Sequence, residues 1–251
     1  MSLTEPLISP MACSHLLEMP PFSADTRSFP EQVAPVAFLK PFIVSLKSVP
    51  SSDWAKPSHR AVTVILLCLL RRKCPSLYQH CLRVRRSSLL LAEHLLLSPE
   101  EKAFLETAAL LHDIGKIALP DALLQKPERL TQEEFEHVKQ HSISGARILS
   151  WMKMPDPITT LVYHHHECWD GSGYPDGLVG DAIPLGARII TLTDAFDVMI
   201  SFRPYQVPRT PLQALEELQR CSGEQFDPSL VNHFCHLKST ISHRQMQSTS
   251  T

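Results

Sequence analysis

Apolar residues recur at three- and four-residue spacings over most of residues 58–237, and no stretch sustains the alternation of a half-buried strand. Helix boundaries stand beside the apolar runs. Ser98, Pro99 and Glu101 place an N-cap, a proline at the first helical position and a capping box ahead of "KAFLETAALLHDIG", with Gly115 as its stop. Thr131 and Glu134 repeat the box before "FEHVKQHSISGARIL". Asp156-Pro157 opens "ITTLVYHHHE", Thr210-Pro211 opens "LQALEELQRCSG" with Gly223 as its stop, and Asp227-Pro228 opens "SLVNHFCHL". The longest apolar run, "AVTVILLCLL" (61–70), falls well short of the roughly 20 residues that span a bilayer, and predicts a buried core helix. Together these elements predict an all-α domain, a helical bundle of about seven helices.

The flanks read differently. Residues 1–57 hold 9 of the 21 prolines, too closely spaced for long helices, and predict an irregular or disordered extension. Residues 238–251 read as a polar disordered tail, leaving 58–237 as the folded domain.

Composition narrows the function classes. A formal net charge of −2 gives no bulk attraction to a nucleic-acid polymer or a membrane surface. The 7 cysteines are odd in number, scattered and without a C-x-x-C pair, as expected of reduced thiols in a cytoplasmic protein. No apolar core of a secretory signal precedes Cys13.

The 13 histidines matter through their placement. His80 is in phase with Val84, Leu91 and Leu95; His112 with Leu105 and Ala108; Asp113 with Ala109. His141 follows Val138 and precedes Gly145 and Ile148, while His165 and His166 follow Leu161 and Val162 by one turn. Asp194 lies between Ile190 and Val198. All seven interrupt the inward face of a predicted helix. A lone histidine so placed is usually a hydrogen-bonded core residue. Seven on separate helices satisfy one another most cheaply by converging on cations, because burying unpaired polar groups costs several kcal/mol. Imidazole nitrogen with carboxylate oxygen suits first-row metals, and five histidines with two aspartates suit two ions, Asp113 bridging them. His164 points about 100° from His165 and reads as rim; Glu133 and Glu136 put His137 on a solvated face.

"LLHDIGK" (110–116) resembles the HD superfamily of metal-dependent phosphohydrolases, and "HHECWDGSGYPDGLVGDAIPLGARII" (165–190) resembles its HD-GYP subfamily. "TDAFDVMISFRPYQ" (193–206) and "GEQFDPSLV" (223–231) extend the likeness. The resemblance implies a helical bundle with a centre of two or three metals, usually iron or manganese. It implies hydrolysis of cyclic di-GMP, a bacterial second messenger, to pGpG or GMP, and attachment to signalling partners. His80, His112, Asp113, His141, His165, His166 and Asp194 fall where that family's metal ligands lie. Lys116, just past Asp113, is then placed to bind the scissile phosphate and stabilise transition-state charge. Gly173, Tyr174 and Pro175 belong to a substrate loop in which Gly171, Gly173 and Gly177 permit tight backbone and Asp170 bonds it. Tyr174 and Trp169 have faces for a guanine, though Trp169 reads equally well as packing. Arg203 matches the family's R-P-Y arginine and clamps a second phosphate; Asp197 is expected to contact Arg203 or a water, without being a ligand.

The chain also departs from that family. Ser76 stands where some members carry a glutamate, which argues for two metals rather than three. Cys168 and Gln206 replace basic residues, and Phe202 replaces an aspartate. Another cyclic dinucleotide is therefore an open alternative. So are a catalytically weak HD-GYP module that binds cyclic di-GMP or a partner protein, and a general HD nucleotide phosphohydrolase.

Overall fold

Proline and cap residues divide the chain into successive short rods. The computed structural model describes residues 57–202 and 207–248. The caps written in the sequence are realised there as nine α-helices, with no strand among the described residues. They are α1 (Pro57–Lys73), α2 (Pro75–His94), α3 (Pro99–Leu111), the single turn α4 (Asp121–Leu124), α5 (Gln132–Trp151), α6 (Asp156–His164), α7 (Leu185–Ile200), α8 (Pro211–Arg220) and α9 (Pro228–Ser248). Short 3-10 turns lie at Ile114–Ala118 and Gly180–Ala182.

The caps act locally as expected. Ser98, Thr131 and Thr210 each accept the backbone N–H three residues on, and Glu101, Glu134 and Gln213 bond back to the cap amide. Asp227 accepts from the amides of Ser229 and Leu230. Each such cap contributes about 1 kcal/mol. α9 continues to Ser248, past the end of the domain read from the sequence.

The apolar faces meet in one core. α2 packs on α3 and α7, α3 on α6, and α5 on α6. Leu91, Leu105, Leu111, Ile114, Leu149, Val162, Ile189 and Ile190 are fully or almost fully buried among them. Truncating one such leucine to alanine costs about 2–5 kcal/mol.

Two local expectations need correction. The run 61–70 is not buried all round: Val62, Leu66 and Leu70 form one buried stripe of α1, while Val64 is 58% exposed. The helix is amphipathic because it lies at the margin of the bundle, covering α2 and α3 with one face. Gly115 does not stop α3, which has already ended at Leu111. Its role is close approach: a Cβ there would lie 1.9 Å from the His141 carbonyl oxygen and 2.6 Å from the Gly145 nitrogen. Gly115 and Gly145 thus let the turn after Asp113 pack directly on α5 beside His141. No helix among the described residues is long and apolar enough to cross a membrane.

Candidate metal centre

Five elements deliver the seven inward polar side chains to one place. His80 comes from the buried face of α2, His112 and Asp113 from the end of α3, and His141 from the middle of α5. His165 and His166 follow the last turn of α6, and Asp194 comes from α7. Asp113, His141, His165 and His166 offer donor atoms within 4.8 Å of one another, and so do His80, His112 and Asp194.

Asp113 joins the two groups. Its Oδ1 is 3.2 Å from His141 Nε2, and its Oδ2 is 3.5 Å from His112 Nε2 and 3.9 Å from His80 Nε2. His80 Nε2 is also 3.0 Å from Asp194 Oδ1. The bridging geometry read from the sequence is therefore available.

The imidazoles are oriented from behind. His112, His141 and His165 each direct Nδ1 at the backbone carbonyl three residues earlier, of Ala109, Val138 and Val162, at 2.9, 2.5 and 2.6 Å. A carbonyl only accepts, so Nδ1 carries the proton and the Nε2 lone pair faces inward. His80 directs Nδ1 at Asp197 Oδ2 instead, at 2.7 Å.

Inward lone pairs collide unless something positive lies between them. His141 Nε2 is 3.3 Å from His165 Nε2 and 3.1 Å from His166 Nε2. Burial holds the His112 and His165 pKa values below the ordinary imidazole range, and burial with His141 pushes His166 down to about 3. His112 Nε2 is buried without a hydrogen-bond partner. Burial alone would raise Asp113, but Lys116 and His112 outweigh it and hold the carboxyl well below its usual range; the His80 hydrogen bond does the same for Asp194. At His80 burial lowers the pKa, yet Asp194 and Asp197 win and raise it to about 9. A proton between His80 and Asp194 occupies ground that suits a cation. Inward imidazole nitrogens and ionised carboxylates are the donor set that first-row divalent metals take, the metal displacing any proton on the imidazole.

Cys81 is also within reach of His112 and Asp113, a neighbour that sequence phase did not single out. Burial pushes its thiol pKa up, and its side chain is fully buried in the apolar core.

The glycine-rich loop closes over this centre. Gly171 and Gly177 have φ of 83° and 67°, and a Cβ on Gly173 would meet the Cys168 nitrogen at 2.2 Å. Asp170 Oδ1 accepts from the Ser172 amide as expected, at 2.9 Å. The buried Glu167, which sequence reasoning missed, accepts from the Asp176 and Leu178 amides at 2.8 and 3.1 Å. Those bonds also explain the His164–Glu167–Asp176 group: it straps the loop outside the centre, and His164 stays out as read. Tyr174 stacks on His166 with ring centroids 4.9 Å apart, and Lys139 Nζ lies 5.5 Å from the Tyr174 ring. Trp169 packs against the Arg188 guanidinium, the packing alternative. Lys116 Nζ lies 2.8 Å from Asp113 Oδ2, at the edge of the cluster. Arg203 and Gln206 lie outside the described residues. The Asp197 oxygens accept from His80, Arg83 and Ser201; the expected contact with Arg203 lies outside the described residues. Arg83 was also missed, although it follows His80 by three residues and so shares its helix face.

Comparison with known proteins bears on this geometry. The HD domain profile matches residues 65–230. The chain is 47% identical over 145 residues to the cyclic di-GMP phosphodiesterase response regulator RpfG of Xanthomonas campestris, covering 57% of this chain and 38% of that one. It is 39% identical over 137 residues to the 3'3'-cGAMP-specific phosphodiesterase 2 of Vibrio cholerae, covering 54% of this chain and 26% of that one. The match thus spans less than half of either relative. Among solved structures, Bd1817, an HDG"Y"P protein of Bdellovibrio bacteriovorus, superposes with a TM-score of 0.55 at 23% identity, covering 64% of this chain and 52% of that one.

Proposed function

Because the chain belongs to the HD domain family, in its HD-GYP subfamily, we propose that it is a metal-dependent phosphodiesterase that hydrolyses cyclic di-GMP. The observation that carries the reading is the Asp113 carboxylate, with one oxygen facing His141 and the other facing His112 and His80. Asp113, His141, His165 and His166 would hold one ion; His80, His112 and Asp194, with Asp113 shared, would hold the second. Mixed nitrogen and oxygen donors suit first-row divalent metals, and the family resemblance points among them to iron or manganese. Ser76 is exposed and offers no carboxylate one turn before His80, which supports two ions rather than three.

When bound, such ions supply Lewis acidity and a nucleophilic water at neutral pH. The residues of the chain do the rest. Asp113 and Asp194 stay ionised and balance the charge of the centre. Lys116, at its edge, would neutralise the scissile phosphate and stabilise charge as the leaving alkoxide departs. Tyr174, braced on His166, with Gly173 and Pro175 would shape the wall that excludes water beside the nucleotide. Arg203 would hold the second phosphate of a cyclic dinucleotide. Departures at Cys168, Phe202 and Gln206 bear on which dinucleotide fits, and 3'3'-cGAMP is the related substrate to compare. A cytoplasmic second-messenger role with signalling partner proteins follows from this reading.

The test is metal analysis of anaerobically purified protein, followed by assay of cyclic di-GMP and 3'3'-cGAMP with Mn²⁺ or Fe²⁺. The reading expects about two ions per chain and linear or mononucleotide product. Metal without turnover would favour a binding module, and turnover of mononucleotides alone would favour a general nucleotide phosphohydrolase.

A further inference from the structure

We propose that Asp197 and Arg83 form a positioning unit that aims His80 at the centre and ties it to Ser201 at the end of α7; this rests on the metal-dependent reading above. Asp197 is 3% exposed. Its Oδ1 accepts from Arg83 Nε at 2.7 Å, and its Oδ2 accepts from Arg83 Nη2 at 2.9 Å, His80 Nδ1 at 2.7 Å and Ser201 Oγ at 3.2 Å. Both oxygens are committed to these donors. Asp197 therefore has little left for a cation, although it lies one turn from Asp194 on α7.

His80 differs from the other oriented imidazoles. His112, His141 and His165 lean on neutral helix carbonyls, whereas His80 leans on a carboxylate. A carboxylate behind a ligand imidazole fixes its tautomer and raises its basicity. His80 belongs to the smaller donor group, with His112 and Asp194. With Asp113 shared, His80 is one of four donors to that half of the centre, and its aim is the one set by a carboxylate. Arg83 compensates the buried Asp197 charge with a two-pronged contact, and its Nη2 also reaches Ser201 Oγ at 3.1 Å. Ser201 caps the C-terminal end of α7. One unit thus links a side chain of the centre to the C-terminal end of α7.

The test is chelator titration of Mn²⁺-loaded full-length protein, with metal per chain measured for wild type, Asp197→Asn and Asp197→Ala. The expected result is selective: one ion per chain leaves at about 10- to 100-fold lower chelator than in wild type, while the other is retained. Asp197→Asn keeps an acceptor for His80 and should lose less than Asp197→Ala. Should alanine prevent folding, the isosteric asparagine decides. Release curves matching wild type, or joint loss of both ions in step with a lowered melting temperature, would overturn the proposal. A wild type that binds no metal overturns the centre and this unit together. A wild type that binds two ions but leaves cyclic dinucleotides intact removes the hydrolase reading and leaves the positioning result standing.

Discussion

His141 Nε2 stands 3.2 Å from Asp113 Oδ1, brought there by the seam where Gly115 meets the backbone of α5. The contact couples helix packing to the chemistry of the centre. It also makes Asp113 the residue whose loss affects both donor groups.

Asp113→Ala is expected to empty the centre of metal and reduce turnover to background. Metal per chain by mass spectrometry and hydrolysis of cyclic di-GMP check it. A variant that keeps two ions or measurable activity contradicts the bridging role.

Lys116→Ala tests the neighbouring cation separately. Removing a donor that stabilises transition-state charge costs about 10²–10³-fold in kcat. Metal content should stay at the wild-type level, since Lys116 supplies no lone pair to a cation while protonated. Loss of metal would show that its contact with Asp113 is chiefly structural.

Gly115→Ala should act through packing. A Cβ lying 1.9 Å from the His141 carbonyl oxygen forces the 3-10 turn away from α5. Overpacking of this kind costs about 1–3 kcal/mol or more. Chemical denaturation should show the loss, and metal affinity should fall with it because Asp113 and His141 separate. Unchanged stability would mean that the seam is looser than described.

Glu167→Gln probes the strap under the glycine-rich loop. The glutamine oxygen can still accept one amide, but the NH₂ group then faces the other part-buried N–H. An unmade buried hydrogen bond costs about 1–3 kcal/mol. A lower melting temperature and a raised KM, with metal content kept, are the expected readouts.

Chelation should destabilise the whole domain. Binding that favours only the folded state adds about 4 kcal/mol at a thousandfold excess over Kd. Calorimetry with and without chelator measures it, and equal melting temperatures would argue against metal at these residues.

Much of this was legible in the chain, because helical phase and capping are local. Ser98, Thr131 and Thr210 mark helix starts within four residues of sequence, and a side chain one turn from a leucine shares its face. That logic alone selects His80, His112, His141, His165, His166, Asp113 and Asp194 and sets His164 aside. Partner choice is different, because it depends on how helices far apart in sequence are docked. Only the tertiary structure divides the seven around Asp113, gives Asp197 to His80 and Arg83, turns Glu167 to the loop amides, and makes Gly115 a packing residue rather than a helix stop. Periodicity states which way a side chain faces on its own helix; the packing of one helix on another decides what it meets.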